Sequence, residues 1–326
     1  MLQRLSRLLP DPLVRLLLAT VVLATVLPAQ GVALEVLSFI SSAAVFLLFL
    51  LNGLRLPRHE VLAGLSNVRL LAPLVAWVFG AMALAGLGMA HLLDNRVPQL
   101  LALGFLYLGC LPSTVQSATA YVSLANGNVA ASVVSAALTN ILGVFVTAPL
   151  FTALAGSGEA AVDSRAFVKV VMILLVPFAI GQFAQRWAGS WVKDHRQLTA
   201  WMDRSSIAIA VYASFSGAVA AGLWSMLNVR DWAVVLAATG VFLVFGFGGA
   251  WLLGRVVGLD RRTRITMLFS GGQKSIAMGA PLATVLFPPA VAGVILVPIL
   301  VYHLTQLVIS APIAARLAAG NGDTNS

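Results

Sequence analysis

Charge is what this chain has least of. Only 10% of its 326 residues are Asp, Glu, Lys or Arg, while 60% are hydrophobic; soluble domains carry about 25% charged residues. A soluble domain of this composition would aggregate. Apolar runs of about 20 residues recur along the whole length, the mark of a polytopic membrane protein. Acid is scarcer than base, 11 residues against 20, for a net charge of +9. Such an excess can mark a nucleic-acid binder, but here the basic residues sit in short loops between apolar runs. They report topology, and no nucleic-acid partner follows. A single cysteine, Cys110, excludes an internal disulfide; inside an apolar run it reads as a small packing residue. The four histidines, His59, His91, His195 and His303, fall at no metal-ligand spacing. No GxSxG is present, and GGQKS (271–275) lacks the spacing of a phosphate-binding loop. Enzyme, metal and cofactor readings therefore drop out. There is no low-complexity segment and no soluble domain, so 1–326 reads as one membrane domain whose first partner is the lipid bilayer.

The N-terminal stretch has a basic start and an apolar centre, as a signal peptide does. Arg15 interrupts it, and a counterpart recurs later in the chain, so it reads as a retained first helix. Ten spans are expected, at about 12–28, 33–54, 70–93, 97–124, 128–155, 165–186, 199–227, 231–257, 263–287 and 290–316. Alternating the loops places fifteen basic residues on one side, among them Arg4, Arg7, Arg55, Arg58, Arg186, Arg196 and Arg261. Four, Arg96, Arg165, Lys169 and Arg230, fall on the other, and the twentieth is Lys274. The positive-inside rule then puts both termini in the cytoplasm. Tryptophans near span ends, such as Trp187, Trp191, Trp232 and Trp251, fit interfacial anchors.

The chain repeats itself. GVFVTAPLFTAL (143–154) resembles QLVISAPIAARL (306–317), with Pro149 falling on Pro312, a shift of 312 − 149 = 163. The same shift carries Asn140 onto His303, and PLVRLLL (12–18) resembles AFVKVVM (166–172). Residues 12–155 and 165–317 thus read as two five-span copies. Five is odd, so the second copy enters from the opposite side, an inverted repeat of the kind found in secondary transporters.

Two interruptions fall at mid-membrane in corresponding spans. Span 4 carries CLPSTVQS (110–117), where proline cannot donate and clashes with the preceding turn. Span 9 carries FSGGQKSIAMGAP (269–281). Matched breaks of this kind point to a transporter's binding site, and broken backbone at that depth must be buried in protein or line a cavity. Lys274 is the most informative residue. A lysine at bilayer centre costs roughly 2.5–3.5 kcal/mol, and a stem of about 6 Å cannot cover the ~15 Å to the headgroups. No acidic residue falls at its depth. Its partner is therefore backbone carbonyls, polar side chains or a transient anion, or the amine is neutral and carries protons. The candidate binding residues are Ser113, Thr114, Gln116 and Ser117 at the first break and Gln273, Lys274 and Ser275 at the second. Ser132 and Asn140 in span 5 and His303 in span 10 join them; Ser135, Thr139 and Gln306 are further polar groups at similar depth.

These segments, CLPSTVQSA (110–118), NGNVAASVVSAALTNILGVFVTAPL (126–150), QKSIAMGAPL (273–282) and YHLTQL (302–307), resemble the crossover motifs of the bile acid:sodium symporter family. The likeness is greatest to its SBF-like, cation/proton-antiporter-related branch and covers the whole chain. It implies an all-α fold of ten helices in two inverted repeats, with broken helices 4 and 9 crossing at mid-membrane. Spans 1, 2, 6 and 7 would form a panel, and spans 3–5 and 8–10 a core. It also implies sodium ligands at Ser117, Ser132 and Gln273. The departures are specific: Phe269 stands where sodium-coupled members have glutamate, Ala118 replaces an asparagine, and Ala136 replaces a threonine. With the carboxylate gone and Lys274 adjacent, a fixed ammonium can take the place of the ion. The expected function is secondary transport of a small organic anion in a bacterial-type inner or plasma membrane. A proton or monovalent-cation exchanger with Lys274 titrating, and a non-transporting membrane regulator, are the alternatives. Substrate, coupling ion and oligomeric state stay open at this level.

Overall fold

The computed structural model describes residues 12–55, 68–156 and 168–319, and among these the chain forms helices and no strand. Arg4, Arg7, Asp11, Arg58, His59, Glu60 and Arg165 lie outside the described residues. Among the described residues six helices are long and apolar enough to cross a membrane: α2 (Val32–Arg55), α3 (Val68–Leu93), α6 (Val129–Ala155), α7 (Val168–Val192), α10 (Val229–Val256) and α13 (Pro289–Ala319). The remaining elements are α1 (Pro12–Val26), α4 (Gln99–Cys110), α5 (Gln116–Leu124), α8 (Arg196–Ala220), α9 (Leu223–Met226), α11 (Arg261–Gly272) and α12 (Ile276–Leu286). Each expected broken span is thus two short helices: α4 with α5, and α11 with α12. Neither piece alone reaches the roughly 20 residues that span a bilayer.

By packing, the described residues fall into two units. The first takes those of Met1–Arg55, Val162–Met226 and Ala280–Val294. In it α2 packs on both α7 and α8, and α1 on α8. Glycines set the α2–α7 seam: a Cβ on Gly53 would collide with the Phe178 carbonyl and lie 3.1 Å from the Gly181 Cα. Small residues at such a seam let backbones touch, the main source of helix association where apolar burial gives none. Gln182 Nε2 donates to the Gly53 carbonyl at 2.6 Å, and an Arg55–Asp203 ion pair ties the end of α2 to α8.

The second unit takes the described residues of Leu56–Ala161, Leu227–Gly279 and Ile295–Ser326. Its α3–α4 seam repeats the device: a Cβ on Gly86 would lie 2.7 Å from the Phe105 carbonyl, and one on Gly109 2.5 Å from the Met82 carbonyl. Within α3, residues Ala76–Ala81 form a π turn. Its Trp77 ring stacks on Phe245 with centroids 5.1 Å apart and fills the space that side chains at Gly249 and Gly271 would need. Asn128 caps α6 by accepting from the Ala131 amide at 3.0 Å, and its own amide donates to the Arg262 carbonyl at 3.1 Å, which docks the α5–α6 turn on α11. Outward-facing apolar side chains such as Phe39 (76% exposed) and Val244 (75%) belong against lipid.

Candidate functional site

A broken helix in hydrocarbon leaves carbonyls without amides, and each one unsatisfied costs several kcal/mol. At the first break the chain leaves α4 at Cys110 and re-enters helix at Gln116. Five consecutive carbonyls there each have a donor. Gly109 and Leu111 take the Lys274 ammonium, at 2.8 and 2.7 Å. Cys110 takes the Thr147 hydroxyl at 3.0 Å, Pro112 the Ser275 amide at 2.9 Å, and Ser113 the Asn140 side-chain amide at 3.0 Å.

At the second break Gln273, Lys274 and Ser275 are non-helical. The Gly272 carbonyl takes the Tyr302 hydroxyl at 2.5 Å. Gln306 holds the Lys274 peptide from both sides: its Oε1 accepts the Lys274 amide at 2.8 Å and its Nε2 donates to the Lys274 carbonyl at 3.0 Å. Ser275 Oγ accepts from the Met278 amide at 3.3 Å and caps α12.

Lys274 is fully buried. An ammonium has three N–H donors, and all three are used: beyond Gly109 and Leu111, the third goes to the Val78 carbonyl at 2.9 Å. Val78 lies in the π turn of α3, a distortion often found at functional positions. Of the partners open to Lys274 from sequence, the structure supplies backbone carbonyls.

Beside the lysine is a second polar knot. Gln273 Oε1 accepts from Thr114 at 2.6 Å, with Ser117 Oγ 2.8 Å away. Thr114 Oγ1 also accepts from the Ala118 amide at 3.2 Å, capping α5. Gln273 Nε2 donates to Ser310 Oγ at 3.1 Å. Phe269, in place of the family glutamate, is buried in an aromatic cluster with Tyr121 and Phe247, centroids 5.8 and 6.2 Å away. The oxygens of Gln273, Thr114 and Ser117 satisfy one another.

Of the sequence-named residues, Ser113, Thr114, Ser117, Asn140, Gln273, Lys274 and Ser275 meet at the two breaks. His303 joins through Gln306, whose Nε2 lies 2.8 Å from its Nδ1. Ser132 lies apart from them, paired with Thr119 at 3.1 Å. Gln116 is exposed at the start of α5 and makes none of these bonds. Sequence reasoning missed Thr147, Tyr302 and the Val78 carbonyl. Thr147 had a signal, since it sits in the repeated TAP/SAP motif; a backbone carbonyl has none.

The profile of the SBF-like CPA transporter family matches residues 11–319. The chain belongs to that family. An uncharacterized protein of Pseudomonas aeruginosa is 38% identical over 97% of this chain and 96% of its own length. YfeH of Escherichia coli K12, provisionally named a symporter, is 34% identical over 94% of this chain and 92% of its own. The mouse protein named sodium/bile acid cotransporter 7 is 23% identical over 83% and 81% of the two chains. This SBF-like protein is therefore an integral membrane transporter of the bile acid:sodium symporter type and not an enzyme.

Proposed function

We propose that this SBF-like transporter moves a small organic anion by alternating access, with its site at the crossing of the two breaks. The observation that carries the reading is the Lys274 ammonium in its cage of three carbonyls. It is a fixed positive charge to which no carboxylate among the described residues is hydrogen-bonded. α5 and α12 begin just after the two breaks, which the Ser275–Pro112 hydrogen bond joins, and half-helix N-termini favour anionic groups. In this reading Lys274 never leaves its cage. It stands where a coupling sodium would sit, and attracts the anion through its charge rather than by contact.

Sodium fits the residues poorly. The ligands implied by the family are Ser117, Ser132 and Gln273; the first and last are tied together and Ser132 is tied to Thr119. An exchanger driven by titration of Lys274 is weaker too, because deprotonation would leave one of three buried carbonyls without its donor.

Ten spans in two inverted copies remain the best account of the architecture. Thr147 holds the first break at Cys110 and Ser310 holds the second at Gln273; 147 + 163 = 310 and 110 + 163 = 273. Contacts related by the same shift as the sequence repeat support a common ancestral half. The two packing units support the panel-and-core division, except that Ala280–Val294 goes with the panel spans. Both termini are placed in the cytoplasm, on the charge of the loops.

A thermal-shift screen of small organic anions on purified protein, with and without sodium at two pH values, tests the proposal. Stabilisation by an anion in sodium-free buffer is expected. Stabilisation only when sodium is added returns the ordinary sodium-symport reading.

A further inference from the structure

The amide of Gln306 cannot be turned either way. Its oxygen must face the Lys274 N–H and its nitrogen the Lys274 C=O, since the reverse would oppose donor to donor and acceptor to acceptor. This settles a proton on another residue. Gln306 Nε2 is a donor, and it lies 2.8 Å from His303 Nδ1. That nitrogen must accept, so the imidazole is neutral and carries its hydrogen on Nε2.

We propose that His303 Nδ1 is a proton-binding site, and that the proton it takes up releases the Lys274 peptide through Gln306. The step breaks no covalent bond: a proton from water adds to the Nδ1 lone pair and leaves an imidazolium with hydrogen on both nitrogens. Nδ1–H then opposes Gln306 N–H across a gap made for one hydrogen. Gln306 relieves this by drawing its whole side-chain amide away from His303, and so withdraws its oxygen from the Lys274 amide. The peptide that carries the caged ammonium loses its clamp, and the polar knot on neighbouring Gln273 loosens with it. Coupling is reciprocal: whichever conformation frees the Lys274 peptide binds the proton more tightly.

The surroundings suit a proton rather than a fixed charge. The titratable groups on the surrounding elements include the Lys274 ammonium beyond Gln306, the Tyr121 phenol, which donates to the Leu307 carbonyl at 2.8 Å, and two buried phenols. Tyr302 is spent on the Gly272 carbonyl and Tyr107 on the Gly279 carbonyl. The Cys110 thiol ends α4. No carboxylate joins them: Asp94, Asp231 and Asp260, the described acids of this unit, stand at helix ends.

This deepens the transporter reading and rests on the crossing of the breaks being the moving site, but its test needs no substrate. Hydrogen–deuterium exchange is followed at the Lys274 amide in the full-length protein in lipid nanodiscs from pH 8 to pH 5, corrected for intrinsic amide chemistry. Exchange is expected to rise at least tenfold towards pH 5 in the parent, to stay slow and flat in His303→Gln, and to be fast at both pH values in Gln306→Ala. A flat parent, or a step that survives in His303→Gln, overturns the proposal. Should His303→Gln fail to fold, histidine-labelled parent protein decides by NMR: an Nδ1–H tautomer of His303 at pH 8 overturns it equally. A failed ligand screen leaves these results standing, so the two readings fall separately.

Discussion

At the scale of single residues, Lys274 reverses its meaning between sequence and structure. From sequence it is a cost, a charge stranded at mid-membrane whose removal should relieve the chain. In the fold it donates to three carbonyls, and each one left unpaired costs about 1–3 kcal/mol. The second effect is the larger. Lys274→Ala is therefore expected to lower the melting temperature in cation-free buffer, and to recover part of the loss when sodium or potassium is added, since the vacated cage still presents three oxygens. Lys274→Arg is expected to lose stability without that recovery, because a planar guanidinium fills the cage without fitting it. Thermal unfolding across cation concentrations reads both; an alanine variant as stable as the parent would show that the cage contributes nothing. Side chains of rare type in a uniform background, such as Lys274 and Gln273, are legible because their cost must be met somewhere. Their partners were not, since Val78, Gly109 and Leu111 contribute only backbone.

Among the elements, breaks and seams share one rule: backbone meets backbone or polar side chain with nothing between. The breaks were readable, because proline and paired glycine interrupt apolar runs. The seams were not, because a glycine at a helix crossing and a glycine facing lipid look alike in sequence. Gly86 and Gly88 make the distinction testable. A Cβ at Gly86 would press on the Phe105 carbonyl and the Leu106 Cα, at 2.7 and 3.1 Å, whereas one at Gly88 would meet nothing within 4 Å. Gly86→Ala is expected to destabilise by about 1–3 kcal/mol, the range for overpacking. Gly88→Ala should be neutral or stabilise by up to about 1 kcal/mol through helix propensity. Opposite shifts in unfolding midpoint, two residues apart, would bear this out; equal shifts would deny the seam.

For the molecule as a whole, composition announces a membrane protein, and loop charge predicts its sides. Cysteines introduced at positions 2 and 324 are expected to react with impermeant maleimide only from the cytoplasm, and one at Asn95 only from outside. The native Cys110 is buried and should stay silent, so no background replacement is needed. Labelling of either terminus from outside would overturn the orientation. Periodicity alone could not disclose the partition of the chain, because contacts between distant segments leave no local pattern; the family resemblance suggested a panel and a core, but not that Ala280–Val294 packs with the panel spans. The path crosses from one packing unit to the other five times, after residues 55, 161, 226, 279 and 294. Neither unit is complete until the ribosome has made most of the other. The first lacks Ala280–Val294 until nearly the whole polypeptide has been made, and the second waits for Ile295 onward. Early helices must therefore idle in the bilayer with their seams half matched, exposed to quality-control proteases. A nascent chain stalled after α10 leaves two incomplete bodies rather than one sound half.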